Sequence, residues 1–393
     1  MTREPGREPM SVRVPVKRQL LAWAVERSGV DAGDLHRRFP DLHSWEAGEK
    51  NPTFTQLERF ATATRAPVGY FFLDEAPVET LPVPDYRTVG NAHIAAPSAD
   101  LLETIYLCQR RQDWFRNHCI LNGHPRLPFI GSVDVGAPVA ETAAAIRTAL
   151  RFETAERHLL ASWESALRRL IDTIEELGVL VMVNGVVGGN THRRLDSSEF
   201  RGFALSDEFA PLVFVNGADT KASQIFTLVH EVAHLWLGLG GVDDASVDDS
   251  RTAEVEVWCN RVAAEVLVPL DAVRAEYRGE ADVAELERLA RVYRVSTLVV
   301  LRRIFDASFL AWDDYRARHA EELARVRAIL ESRRSGSGGD FYLSHPLKVS
   351  RLFARAVIVD TQEGRTLHRD AYSLLATKKA ETFARLAREL GVA

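Results

Sequence analysis

The sequence predicts an α+β protein, mostly helical, with a small sheet confined to mid-chain. Three observations lead there. Apolar residues recur at helical spacing over most of the length, β-branched runs bounded by glycine cluster only between about residues 179 and 215, and no segment repeats at a fixed period. With 393 residues, the chain has enough length for two or three domains and a substantial core.

The elements follow in order. To about Glu75 the pattern is one of short helices. Gln19, Leu20, Leu21, Trp23 and Ala24 open one, and Pro52-Thr53-Phe54 opens another that carries Leu57, Phe60 and Ala61 at helical spacing. From residue 76 to 99 the prolines Pro77, Pro82, Pro84 and Pro97 disfavour a helix and predict a linker or a tie. Helices are expected over Asp100–His118, Pro138–Leu150 and Leu160–Leu177. The period then changes. Val179–Val183, Arg201–Leu205 and Pro211–Val215 predict three strands. Helical spacing returns from Lys221 to about Ser332, and Ser335-Gly336-Ser337-Gly338-Gly339 reads as a flexible linker. Phe341–Ala393 is expected to form a small helical tail with some extended structure. The domain expectation is therefore a helical module over 1–75, a Pro-rich linker over 76–99, a main domain over 100–332 and a helical tail over 340–393.

Composition excludes several classes. Apolar residues at 46% and charged residues at 26% argue against wholesale disorder. Forty-nine basic against fifty-five acidic side chains leave a net charge of −6, so the chain is no polycationic nucleic-acid binder. Three scattered cysteines suit a reducing compartment rather than a disulfide scaffold. No apolar run approaches the ~20 residues a bilayer needs, and MTREPGREPM lacks a signal-peptide core. A cytoplasmic protein without a membrane partner is the expectation.

The chemistry concentrates in His230-Glu231-Val232-Ala233-His234. On a helix, residues four apart lie one above the other, so both imidazoles can reach one metal ion. Zinc accepts such nitrogens, and a catalytic site takes three protein ligands and leaves one place for solvent. Glu231, one step round the helix, can then act as general base. Ile225, Phe226, Leu228, Val229, Leu235, Trp236 and Leu237 make the surrounding helix nearly charge-free. A third ligand is expected from a second helix over Thr252–Val268, which offers Glu254 and Glu256 about 200° apart. Glu256 shares a mostly apolar stripe with Cys259, Asn260, Ala263 and Leu267 and is the better ligand. Glu254 lies on a solvent-like stripe. Asn260 reads either as a partner behind the ligands or as a buried amide. His192, Arg193 and Arg201 are candidate donors to a developing oxyanion, with nothing in the sequence to select among them.

These residues resemble the ImmA/IrrE family of zinc metallopeptidases, in its version with an N-terminal helix-turn-helix of the Xre type. Two helical pieces carry the resemblance, Phe226–His234 and Glu256–Pro269, and two strand-like runs, Glu199–Leu205 and Ala210–Asn216, add to it. It implies a zincin-like core with His230, His234 and Glu256 as zinc ligands and Glu231 as general base. It also implies an endopeptidase that cleaves a regulatory protein such as a repressor. Related chains resemble antitoxins or transcription regulators encoded beside a toxin, so a protease-like core that mainly binds a partner protein is the alternative.

Two segments are candidate DNA readers. Trp45-Glu46-Ala47-Gly48-Glu49-Lys50-Asn51-Pro52 resembles the end of an Xre domain, but the step from Leu35 to Trp45 is only ten residues, which shortens the helix expected in the major groove. Met1–Glu75 holds eleven basic and eleven acidic residues, net zero, so a docking module is as good a reading as a DNA binder. Leu289–Ser296, running to Arg302-Arg303, spaces better as a helix-turn-helix and also reads as a core wall.

Overall fold

The structure is a computed structural model that describes residues 12–79, 97–157, 159–239, 249–332 and 341–393. Most of the Pro-rich 76–99 segment and the whole Ser335–Gly339 linker lie outside the described residues. The described residues fall into two compact units, one holding 12–79 and 97–103, the other the residues from 104 onward.

The first unit contains α1 Arg18–Ser28, α2 Ala32–Arg38, α3 Leu42–Ala47, α4 Phe54–Ala63 and a 3-10 turn at Val68–Phe72. Its core is Leu20, Leu21, Leu35, Leu42, Trp45, Leu57, Phe60 and Phe71. The caps explain the short helices. Gly29 and Gly48 end α1 and α3 in the left-handed conformation, and a Thr53–Gln56 capping box starts α4. Leu57, Phe60 and Ala61 are buried, as their spacing predicts.

The helix α5 Ala99–Leu121 enters the second unit, where α6 Val139–Ala149, α7 Thr154–Arg157 and α8 Trp163–Glu176 follow. Next come β1 Leu180–Asn184, β2 Gly202–Leu205 and β3 Leu212–Asn216, then α9 Lys221–Leu237 and α10 Asp249–Leu267. The remaining elements are α11 Leu270–Glu276, α12 Val283–Tyr293, α13 Thr297–Asp306, α14 Trp312–Ser332, α15 Phe341–Val349, α16 Arg351–Gln362, α17 His368–Leu374 and α18 Ala380–Glu389. The fold is α+β and mostly helical, with its three strands grouped mid-chain. Among the described residues, no helix is long and apolar enough to cross a membrane.

In the sheet, β3 lies between β1, which runs parallel to it, and β2, which runs antiparallel. Its strands are apolar on both faces because both are covered. Val181, Ala204, Val213 and Val215 join the core built by α8, α9 and α10. On the alternate residues, Met182 Sδ lies 3.9 Å from Cys108 Sγ of α5, and Phe203 stacks on Phe214. Gln112 of α5 donates to the carbonyls of Leu205 and Ala210.

Beyond residue 341 the expectation of extended structure is corrected: among the described residues the tail holds four helices and no strand. The β-branched run Val357-Ile358-Val359 reads locally as a strand. Yet Phe353, Ala354, Val357 and Ile358 form a buried stripe at helical spacing, and tertiary packing overrides propensity. The short helix α7 also went unread in the sequence, being only one turn long.

Candidate metal centre

The centre is built on α9. The Thr220 side chain caps its start by accepting from the Ser223 amide. Gly238 ends it at φ 70°, where a β-carbon would sit 2.8 Å from the Cα of Gly131. Glycine is required there both for the left-handed turn and for the close approach. The amides of Gly131 and Val133 donate to the carbonyls of Leu235 and Trp236, so the last turn of α9 is satisfied by a crossing loop. Nearly every residue from Gln224 to Leu237 is buried, which is why the helix carries so little charge.

Three side chains converge in this apolar setting. His230 Nε2 and His234 Nε2 stand 3.0 Å apart, one helical turn separating them. Glu256 of α10 brings Oε1 to 3.2 Å from His234 Nε2 and Oε2 to 3.5 Å from His230 Nε2. Ligands about 2.0–2.1 Å from a tetrahedral ion stand about 3.3 Å from one another, so the three donors already have the spacing of one tetrahedral face. The imidazoles are buried, and the Glu256 side chain is 15% exposed. Two imidazole nitrogens and one carboxylate oxygen form a donor set that suits zinc and disfavours magnesium or calcium. The residues present fit the group. Burial by itself would raise the Glu256 carboxyl, but the facing imidazoles of His230 and His234 outweigh it and hold that carboxyl well below the usual carboxylate range.

Glu231 is buried beside the trio and turned toward β2. A β-carbon on Gly202 would lie 3.3 Å from Glu231 Oε1, 2.7 Å from the Phe214 carbonyl oxygen and 2.5 Å from Thr227 Cγ2. The sheet edge can therefore approach the helix only because residue 202 lacks a side chain. Gly202 went unread as a site residue. The available signal was a glycine inside a β-rich run, which marks close backbone approach.

The other sequence candidates are placed differently. Glu254 is exposed, and Asn260 is half-buried one turn beyond Glu256. His192 sits in an exposed turn, its amide donating to Asn190 Oδ1. Arg201 Nε is 3.8 Å from Asp219 Oδ2, at the start of α9. The set of ligand atoms that gathers around α9 contains neither His192 nor Glu254.

The far end of α10 is held by an arginine collar that the sequence did not announce. Buried Arg157 donates to the carbonyls of Phe152, Val266 and Leu267, Arg147 to those of Glu265 and Val266, and Arg303 to that of Val268 and to Glu265. Cations at a helix C-terminus satisfy its last carbonyls and complement its dipole, so the helix that carries Glu256 is anchored at its end.

Residues 174–305 match the family model of the IrrE N-terminal-like domain, a peptidase family. The matched segment begins at the end of α8 and runs into α13. It contains the whole sheet and both helices that supply the trio. A second match, to a domain of unknown function (DUF8813), covers residues 349–389 in the tail. No curated protein matches the chain.

Proposed function

We propose that this protein is a zinc-dependent endopeptidase acting on a regulatory protein such as a repressor. The observation that carries the reading is the convergence of His230, His234 and Glu256 at tetrahedral spacing, with the buried carboxylate of Glu231, outside that donor set, one residue from His230. The IrrE N-terminal-like match over the same helices supports it. A scaffold that only held a partner would need no such carboxylate.

Zinc, when held by His230, His234 and Glu256, supplies Lewis acidity to the scissile carbonyl and lowers the pKa of the attacking water. Glu231 takes a proton from that water and returns it to the departing amine nitrogen. Its burial against the Gly202 backbone fixes the carboxylate and keeps bulk water away, which strengthens each electrostatic interaction in the site. The collar of Arg147, Arg157 and Arg303 keeps α10 in register, so that Glu256 stays opposite the imidazoles.

A protein partner is favoured over DNA by how the arginines are engaged. Arg291 pairs with Glu287 and Arg302 with Asp306, Arg294 donates to the Leu160 carbonyl, and Arg303 pairs with Glu265. In the first unit α3 is six residues long, and Arg37 pairs with Asp34. Side chains already paired intramolecularly gain less from phosphates.

The test is mapping of new N-termini by mass spectrometry after incubation of a whole lysate with purified wild type or Glu231→Gln. Wild type should generate cleavage sites that chelation and Glu231→Gln both abolish, while Glu231→Gln keeps its metal by elemental analysis. Identical N-termini from the two proteins would end the enzymatic reading.

A further inference from the structure

A second set of metal-ligand side chains lies in the first unit. His36 of α2 and His43 and Glu46 of α3 bring one ligand atom each within 4.8 Å of one another. His36 Nε2 is 3.1 Å from Glu46 Oε2, and His43 Nδ1 is 3.8 Å from the same oxygen. These distances bracket the spacing of about 3.3 Å expected around a tetrahedral ion. The two imidazoles stack with centroids 3.9 Å apart and planes 23° from parallel.

The hydrogen-bond pattern defines what the cluster lacks. His36 Nδ1 lies 2.7 Å from the Ala32 carbonyl oxygen. A carbonyl only accepts, so Nδ1 carries the proton and the ring is oriented as a metal-bound histidine usually is, with a backbone carbonyl behind it. The other nitrogen, Nε2, then presents a lone pair to a carboxylate oxygen unless a cation stands between them. A proton on His36 is one such cation, but it leaves His43 outside the arrangement, and protonating both stacked rings would set like charges face to face. One divalent ion can take His36 and Glu46 where they stand and His43 once its ring turns out of the stack, because two nearly parallel ring planes do not meet at one ion.

The geometry points to a second zinc site, formed by His36, His43 and Glu46, that clamps α2 to α3 across the turn at Phe39-Pro40-Asp41. Its nitrogen-rich donor set selects zinc over magnesium and calcium. His43 and Glu46 are one turn apart on α3 and share a face, so the helix presents both toward His36. The His43 side chain is 78% exposed, which leaves it room to rotate inward and solvent room to complete the coordination. The site is accordingly the weaker and more readily exchanging of the two. Zinc held there joins the two central helices of the N-terminal unit and makes the stability of that unit depend on metal supply. This assignment is independent of the reading of His230, His234 and Glu256.

The test is a zinc titration of the chelator-treated full chain, without a polyhistidine tag, by calorimetry. Two zinc ions per chain are expected, the second at least 10-fold weaker. His43→Ala and Glu46→Gln, both at partly or largely exposed positions, should each abolish the weak event and leave the tight one, with unchanged circular dichroism. His230→Ala should do the reverse. A single zinc removed by His43→Ala would support this site and sink the one on α9. A single zinc removed by His230→Ala, or a weak event that survives both His43→Ala and Glu46→Gln, would overturn the proposal.

Discussion

Glu256 Oε1 lies 3.2 Å from His234 Nε2, although the two residues sit on different helices and the intervening chain breaks at Gly238. That single approach turns a two-histidine helix into a three-donor centre. It relies on α9 and α10 packing through Leu228, Val232, Leu235, Val255, Cys259 and Val262, all of them buried.

Removing the third donor tests the centre most directly. Changing a residue behind a metal ligand typically weakens affinity about 10–100-fold, so Glu256→Ala, which deletes a ligand, should exceed the top of that range. Competition against a chromophoric chelator measures it. Glu254→Ala, exposed on the same helix, should leave the affinity unchanged.

At Gly202 the cost is steric. Gly202→Ala would place a β-carbon 2.5 Å from Thr227 Cγ2 and 2.7 Å from the Phe214 carbonyl oxygen. Overpacking of this kind destabilises by about 1–3 kcal/mol. Thr227→Ser removes the methyl group and should recover part of the loss in urea unfolding, but not all, because the Phe214 carbonyl is backbone. An equally stable Gly202→Ala would show that the strand does not press on α9.

The arginine collar predicts a different signature. Arg157→Met leaves the carbonyls of Phe152 and Leu267 without this buried donor, and Val266 with Arg147 alone, and should cost about 3–5 kcal/mol. Arg157→Lys should recover little, since one ammonium cannot span a fork of three acceptors. Zinc affinity should fall less than for Glu256→Ala, because Leu267 lies three turns from Glu256. Urea unfolding and chelator competition together check the split.

Glu175 gives the protein a pH dependence of its own. Burial pushes its carboxyl up to about 7, even though the Ser350 hydroxyl and the amides of Leu352 and Arg351 pull the other way. The folded state therefore holds a proton that the unfolded chain, near the ordinary 4.5, has released. Stability from this group is greatest below about pH 4.5 and falls by about 3 kcal/mol as pH rises through 7. Glu175→Gln removes that slope. Relative to wild type, it should gain about 2–3 kcal/mol between pH 5 and pH 8 in parallel urea titrations. Because Ser350 caps α16, the difference reports on how the tail is held.

Much of this was legible from local pattern. Helical spacing located α4, α8 and α9, and β-branched runs located all three strands to within a residue or so. His230 and His234 could be paired on paper because their spacing of four is a property of any helix. Glu256 could be preferred to Glu254 because a buried stripe differs in composition from a solvated one, and the structure does leave Glu254 exposed.

Other features had no local signature. Arg157 is written like any surface arginine, and only the packed chain buries it under the end of α10. The run Val357-Ile358-Val359 has strand propensity, but its neighbours Phe353 and Ala354 find a buried surface only as a helix. His36, His43 and Glu46 are ordinary polar residues until the turn folds α3 back beside α2.

The amino-acid order alone thus determined the three strands, most of the helices and the pairing of His230 with His234 on one helix face, because these depend on periods of a few residues. Tertiary structure brought Glu256, already preferred for its apolar stripe, up to the imidazoles, and it alone decided that Gly202 would sit against Glu231 and that His36 would meet Glu46. Each of those depends on where separate elements dock, which is set by the burial of apolar faces drawn from the whole chain and by no local run of residues.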